Sequence, residues 1–224
     1  MDRAEQFGDK VVYQIYIRSF KDSNDDGIGD LRGITYCLDY LKDLGVGCIW
    51  ITPFFVSPQN DNGYDVADYR NIDPVFGSME DFDEKERGIA IMLDMVFNHT
   101  STEHEWFQKA LKGDPTYLDY YKFVDAAEGA TEENPGEPPT NWVSKFGGSA
   151  WQYVPSLNKW YLHLFDKSQA DLNWDNPRVR NELADVIRFW KAKGVSAFRF
   201  DVVNLISKPS ELESDDGGDG RRFY

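Results

Sequence analysis

An arginine and an aspartate two positions apart stand in a short apolar run late in the chain. Residues 195–204 read V-S-A-F-R-F-D-V-V-N, with Arg199 and Asp201 near the end. On a strand, residues i and i+2 point to the same face. A carboxylate in so apolar a run is costly to bury unless it is paired. Arg199 is the partner at hand, and its charge would keep Asp201 ionised at neutral pH. An ionised, pre-oriented carboxylate at a strand end suits a nucleophile. A structural ion pair accounts for the same two residues, so this segment alone leaves both readings open.

Three further segments could do chemistry. Residues 89–101, I-A-I-M-L-D-M-V-F-N-H-T-S, end an apolar run in Asp94 and place Asn98 and His99 just beyond it. A histidine there can donate to a bound hydroxyl, or serve as a loop histidine with internal partners. Residues 61–65, D-N-G-Y-D, offer the flat ring of Tyr64 and the acceptor Asp61, a pairing that suits a sugar ring and its hydroxyls. Asn62-Gly63 is also a strong turn signal in its own right. Residues 22–30, D-S-N-D-D-G-I-G-D, space Asp22, Asn24 and Asp26 by two before Gly27. This copies the first half of an EF-hand loop, with Ile28 supplying a backbone carbonyl and Asp30 at the ninth position. Gly33 stands where the bidentate glutamate would be, and a solvated acidic turn is the alternative to calcium.

These segments need elements to position them. Residues 11–16 read as a strand, and 31–44 as an amphipathic helix with Leu31, Ile34, Leu38, Leu41 and Leu44 at helical spacing. Residues 48–51 are a second strand. Ser78 with Asp81 opens a short helix that ends before Gly88. Residues 89–94 form a third strand. An aromatic, turn-rich excursion follows over 98–173, with strand character at 161–165 and a Pro-, Gly- and acid-rich stretch at 128–140. Asn176-Pro177 opens a helix to about Lys193, and 197–201 is a fourth strand. From Lys208 the chain turns polar. The order predicts an α/β chain with a parallel sheet, and polar residues gather after the strands, as on the active face of a (β/α)8 TIM barrel. The excursion thus takes up 100–172 and separates residues 1–99 from residues 173–224, which run through strand four.

Composition excludes several function classes. Of 224 residues, 41% are hydrophobic, enough for a core. The formal net charge of -15 argues against nucleic acid or an anionic membrane surface as partner. No apolar run has the length of a membrane span. The start, M-D-R-A-E-Q-F-G-D-K, lacks a signal-peptide core, which points to the cytoplasm. Cys37 and Cys48 read as reduced core residues. No phosphate loop, dinucleotide fingerprint, zinc spacing or serine elbow appears, so no organic cofactor is expected.

The remaining motifs together resemble the α-amylase superfamily, glycoside hydrolase family thirteen, over almost the whole chain. D-M-V-F-N-H at 94–99 is similar to that family's first signature, and F-R-F-D-V-V-N at 198–204 to its second. S-N-D-D-G-I-G-D-L-R-G-I is similar to the metal loop of its oligosaccharide-cleaving α-glucosidases. The resemblance implies an incomplete (β/α)8 barrel, about strands one to four, with a loop-rich subdomain inserted after strand three. It implies retaining hydrolysis of an α-glucosidic bond in a sugar or sugar phosphate, trehalose 6-phosphate ahead of isomaltose-type substrates. Asp201 would be the nucleophile and Arg199 its holder. Asp61, Tyr64 and His99 would line the pocket for the non-reducing glucose, walled by Phe165 and by Phe146 of F-G-G-S-A-W. Calcium would be held by Asp22, Asn24, Asp26, Ile28 and Asp30. Two departures stand out. The helix after strand two, over 79–87, is about five residues short, roughly one and a half turns. The family's general acid, a glutamate after a fifth strand, has no counterpart here, so the chain by itself is expected to be inactive, a remnant or half of a split enzyme awaiting a C-terminal half.

Overall fold

The computed structural model describes residues 8–83, 88–209, 211–216 and 218. The first part runs β1 (Val11–Ile15), α1 (Ile17–Phe20), α2 (Leu31–Tyr36), α3 (Leu38–Asp43), β2 (Val46–Ile51), β3 (Phe55–Val56), β4 (Asp68–Ile72), α4 (Met79–Asp83) and β5 (Ala90–Val96). Then come β6 (His99–Ser101), α5 (Glu105–Leu111), α6 (Pro115–Leu118), β7 (Phe123–Asp125), β8 (Trp151–Val154), β9 (Lys159–Leu162) and β10 (Gln169–Asp171). The long helix α7 (Pro177–Ala192) and strand β11 (Ala197–Asp201) follow. Among the described residues no helix is long and apolar enough to cross a membrane.

The chain forms two compact units that interleave in sequence. The first comprises residues up to Ser57, Asp68–Met95 and Asp185–Phe200; the second comprises Pro58–Ala67, Val96–Ala184 and the chain from Asp201 on. The structure thus draws its boundaries differently from divisions at 99 and 172. One reason is that residues 58–67 join the excursion, where Ser101 N donates to the Val66 carbonyl at 2.8 Å.

The first unit is built on a four-stranded sheet in the order β1-β2-β5-β11. β2 pairs parallel with both β1 and β5, with Ile49 opposite Tyr13 and Ile91. Buried strands of parallel sheets are apolar on both faces, and V-G-C-I-W-I of β2 has that composition. An aromatic core of Phe54, Phe55, Tyr69 and Phe82 surrounds the fully buried Trp190, whose indole Nε1 donates to the Tyr69 carbonyl at 2.7 Å. Truncating such a residue typically costs about 3–5 kcal/mol.

The helix expected over 31–44 is two helices. Thr35 Oγ1 donates back to the Leu31 carbonyl, and Cys37 N bonds Ile34 O, three residues back rather than four. This tightens the last turn of α2 and ends it at Cys37. α4 is described only to Asp83, so the shortened end expected near Arg87 lies outside the described residues. Both cysteines are free thiols; Cys48 is buried and Cys37 half-buried.

The second unit has a three-stranded antiparallel sheet in the order β7-β9-β8 and a two-stranded one, β10-β6. Trp142, Trp151, Tyr153, Trp160, Leu162 and Leu164 make its core. Much of the aromatic enrichment of the excursion is therefore packing. The strand expected at 161–165 lies at Lys159–Leu162, so Phe165 falls in the following turn.

Candidate active site

In the first unit Arg199 is held by Asp94. Its Nη1 donates to Asp94 Oδ1 at 2.9 Å, and its guanidinium lies 5.0 Å from the centre of the Trp50 ring. Trp50 Nε1 donates to the other oxygen of Asp94 at 3.1 Å. The side chain of Asp94 is fully buried, and that of Arg199 is 34% exposed. The sequence reading pairs Arg199 with Asp201, its neighbour on one strand. A carboxylate that the strand pattern does not reveal, that of Asp94 on β5, lies 2.9 Å from the Arg199 guanidinium, and β5 adjoins β11 in the sheet.

In the second unit the antiparallel pair β6–β10 sets His99 opposite Asp171 and Ser101 opposite Gln169. Asn98, His99, Gln169 and Asp171 are all buried. Buried polar groups must be satisfied, and these satisfy one another. His99 Nε2 lies 3.1 Å from the Tyr64 carbonyl, and its Nδ1 lies 3.1 Å from Asn98 Nδ2. Gln169 Nε2 donates to Asp61 Oδ2 at 2.9 Å and to the Tyr64 carbonyl at 3.3 Å. Burial pushes the His99 pKa below its usual value, against the pull of the Asp171 charge. Burial also raises the Asp61 carboxyl, opposed by the bond from Gln169.

The turn carrying Asp61 and Tyr64 follows from its sequence. Asn62 and Gly63 have φ of 50° and 95°, and Tyr64 N donates to the Asp61 carbonyl at 3.0 Å. Two successive positive φ values are what Asn-Gly supplies. Asp65 accepts from the backbone of Asn60 and Asp61, which fixes the approach to the turn.

Asp201 is half-buried, and its charge acts on both Asp61 and His99. The next residue, Val202, has φ 39° and ψ 36°. A β-branched residue in the left-handed region is strained by roughly 1–3 kcal/mol.

Phe165 stands 5.2 Å from the His99 ring and 5.9 Å from Phe146, centre to centre. Phe146 itself is largely exposed. The two phenylalanines border a cavity of about 300 Å³ also lined by Trp151, Gln152, His163 and Lys167. The structure therefore brings together Asp61, Tyr64, His99, Phe146, Phe165 and Asp201 in one unit, and describes Arg199 in the other. Gln169 and Lys208 escape a reading by motif. Gln169 alternates with Asp171 around Ala170 on a short strand, a buried polar pattern that is their one sequence signal.

The acidic loop at 22–30 is a chain of side-chain-to-backbone turns. Asp22 accepts from the backbone of Asn24, Asp25 and Gly27, Asn24 from Asp26, and Asp26 from Ile28. The bonds from Gly27 and Asn24 lower the Asp22 pKa. Asp30 is differently placed. It is buried, caps α2 through Gly33 N at 2.6 Å, and accepts from the backbone and hydroxyl of Ser23. Gly33 is dictated by space, since a Cβ there would sit 1.9 Å from the Lys21 carbonyl oxygen. A glutamate at that position is sterically excluded. Among the described residues no three His, Cys, Asp or Glu side chains converge as metal ligands. A cation at this loop would rest on Asp22, Asp26, the Asn24 amide oxygen, the Ile28 carbonyl and Asp30.

Comparison with known proteins shows what the chain is similar to. The family described as "Alpha amylase, catalytic domain" matches residues 14–224. Trehalose-6-phosphate hydrolase of Escherichia coli (strain K12) is 55% identical over 219 residues, which is 96% of this chain and 38% of that protein. Oligo-1,6-glucosidase of Heyndrickxia coagulans is 50% identical over 95% of this chain and 38% of that protein. The crystal structure of Bacillus licheniformis trehalose-6-phosphate hydrolase superposes with a TM-score of 0.89 at 50% identity, covering 96% of this chain and 39% of that one. The chain thus spans well under half the length of these relatives. Its four-strand sheet is the N-terminal part of their (β/α)8 barrel. On its signatures, its fold and a match that runs from residue 14 to the last residue, the chain belongs to the α-amylase catalytic-domain family.

Proposed function

We propose that this chain carries the nucleophile side of a retaining α-glucosidase site whose substrate is trehalose 6-phosphate, hydrolysed to glucose and glucose 6-phosphate. The carrying observation is that Asp61, Gln169 and His99 are joined in one hydrogen-bonded set of polar groups and that the charge of Asp201 reaches both Asp61 and His99. Asp201 attacks the anomeric carbon as the glycosidic oxygen leaves, and water then hydrolyses the glycosyl ester. Asp61 and His99 orient the glucosyl hydroxyls, Gln169 holds Asp61 through its amide at 2.9 Å, and the phenylalanines exclude water. Asp94 holds Arg199 on the strand that ends in Asp201. Two relatives named for trehalose 6-phosphate, at 55% and 49% identity, favour that substrate, and relatives named oligo-1,6-glucosidase at about the same identity make isomaltose-type substrates the second reading. A phosphorylated substrate fits a cytoplasmic enzyme.

Retaining chemistry needs a second carboxyl about 5–5.5 Å from the nucleophile. The family pattern puts that acid after a fifth strand, outside residues 1–224. A positioned acid is typically worth about 10²–10⁴-fold. The 224-residue chain assayed alone should therefore show no enzyme-like turnover of trehalose 6-phosphate or an aryl α-glucoside. Joined to the remainder of a family barrel, it should prefer trehalose 6-phosphate to isomaltose in kcat/KM. Turnover by the chain alone near the roughly 10 s⁻¹ common among enzymes would overturn the half-site reading, and preference for isomaltose would overturn the substrate.

We also propose that the loop at 22–30 binds calcium through Asp22, Asn24, Asp26, Ile28 and Asp30, with water completing the roughly 6–8 oxygens calcium takes. The support is the row of oxygen-bearing side chains held by their own backbone. Binding to the folded state alone raises Tm by mass action. Calcium should raise Tm more than magnesium does, and Asp22→Asn/Asp26→Asn should remove the increment. Equal Tm in calcium and in chelator would exclude the site.

A further inference from the structure

We infer that the buried Lys208–Asp171 ion pair dictates which nitrogen of His99 carries the proton, by holding the Asn98 amide in one orientation. The side chains of Lys208 and Asp171 are 2% and 0% exposed, with Nζ 2.7 Å from Oδ2. Lys208 Nζ also donates to Asn98 Oδ1 at 2.7 Å. An ammonium only donates, so the amide atom facing it must be the oxygen. The amide nitrogen then faces the other way, 3.1 Å from both Asp171 Oδ2 and His99 Nδ1. Its two hydrogens meet two acceptors, and Nδ1 must be the bare nitrogen.

The far side of the ring agrees. With Nδ1 bare, a neutral imidazole carries its proton on Nε2, which faces the Tyr64 carbonyl at 3.1 Å. Gln169 Oε1 accepts from Asp166 N, so the amide nitrogen of Gln169 is the atom turned toward this carbonyl. Its 3.1 Å approach to His99 Nε2 is the one contact that a bare Nε2 would suit; with Nε2 protonated, the two donors share the Tyr64 oxygen and the other hydrogen of the Gln169 amide goes to Asp61 Oδ2 at 2.9 Å. The opposite tautomer would set donor against donor between Asn98 and His99, residues that are 0% and 1% exposed. Lys208, Asp171 and Asn98 are thus positioning residues. They present His99 as a neutral Nε2–H donor, and only the use of that donor on a glucosyl hydroxyl rests on the function proposed above.

The test is the ¹⁵N spectrum of the histidine rings in the labelled chain without substrate, so its outcome is separate from any question of activity. There are three histidines to assign. His99 should show an unprotonated Nδ1 and a protonated Nε2. The charge-neutral double variant Lys208→Met/Asp171→Asn should reverse this. The carboxamide introduced at position 171 keeps its oxygen on Leu164 N, as Asp171 does at 2.9 Å, and turns its nitrogen to Asn98. Asn98 then presents oxygen both to that carboxamide and to His99, and the proton moves to Nδ1. Asn98→Asp, which puts oxygen at the same place by itself, should also protonate Nδ1. A wild-type spectrum with Nδ1 protonated overturns the inference whether or not either variant folds. So does a folded variant that keeps the wild-type pattern.

Discussion

Arg199 and Asp94 meet at 2.9 Å across the sheet, the carboxylate fully buried and the guanidinium one-third open to water. Removing one partner of a fully buried pair costs about 3–5 kcal/mol, and water at the guanidinium reduces that. Asp94→Asn should lower the unfolding free energy by about 1–3 kcal/mol, read from the urea midpoint at unchanged m. A midpoint equal to wild type would show that Asp94 does not hold Arg199.

Gly33 has no room for a methyl group. Its ideal Cβ would lie 1.9 Å from a backbone oxygen of Lys21 and 2.7 Å from the carbonyl carbon, atoms that cannot rotate away. Gly33→Ala gains helix propensity but forces α2 off the loop. Overpacking of this kind typically costs about 1–3 kcal/mol. A net loss of stability is expected, together with a weaker Asp30 cap. A stabilised Gly33→Ala would mean that the loop yields at no cost.

His99 makes stability depend on pH with a definite sign. Burial sets its folded pKa below the value of 6.5 that applies to the unfolded chain. Between those two values the unfolded state binds the extra proton, so stability rises with pH across that window and is level above it. Urea midpoints should fall as pH drops below about 6.5, and His99→Gln should flatten that slope. An unchanged slope in His99→Gln would assign the acid sensitivity elsewhere. The raised carboxyl of Asp61 acts in a lower range, above its ordinary 3.8, and in the opposite direction.

Local sequence carries the elements whose signals are local. The fourth strand begins at Ala197 and ends at Asp201 as the apolar run does, and Pro177 starts α7 behind an Asn176 cap. The Asn62-Gly63 turn follows from its two residues. What escapes depends on partners far along the chain. Arg199 and Asp94 are 105 residues apart, and Lys208 and Asn98 are 110 apart. No spacing rule connects such pairs, so local reading does not reach Asp94 from Arg199 and makes Lys208 the start of a polar tail. The break at Cys37 escapes because the leucine period continues through it, while a threonine hydroxyl turns the backbone inside it. Asp30 fits the calcium pattern by position, and the cap that it gives α2 through Gly33 N shows only in the fold.

The central claim is that Asp201 is the nucleophile, and covalent trapping tests it most directly. The chain joined to the remainder of a family barrel would be treated with a 5-fluoro-α-glucosyl fluoride. Its leaving group departs without an acid, and its glycosyl ester hydrolyses slowly. Mass spectrometry of the digest should place the glycosyl group on the peptide containing Asp201. Asp201→Asn should take up no label and lose turnover, with an unchanged circular dichroism spectrum. Label on another carboxylate, or most activity retained in folded Asp201→Asn, would contradict the account.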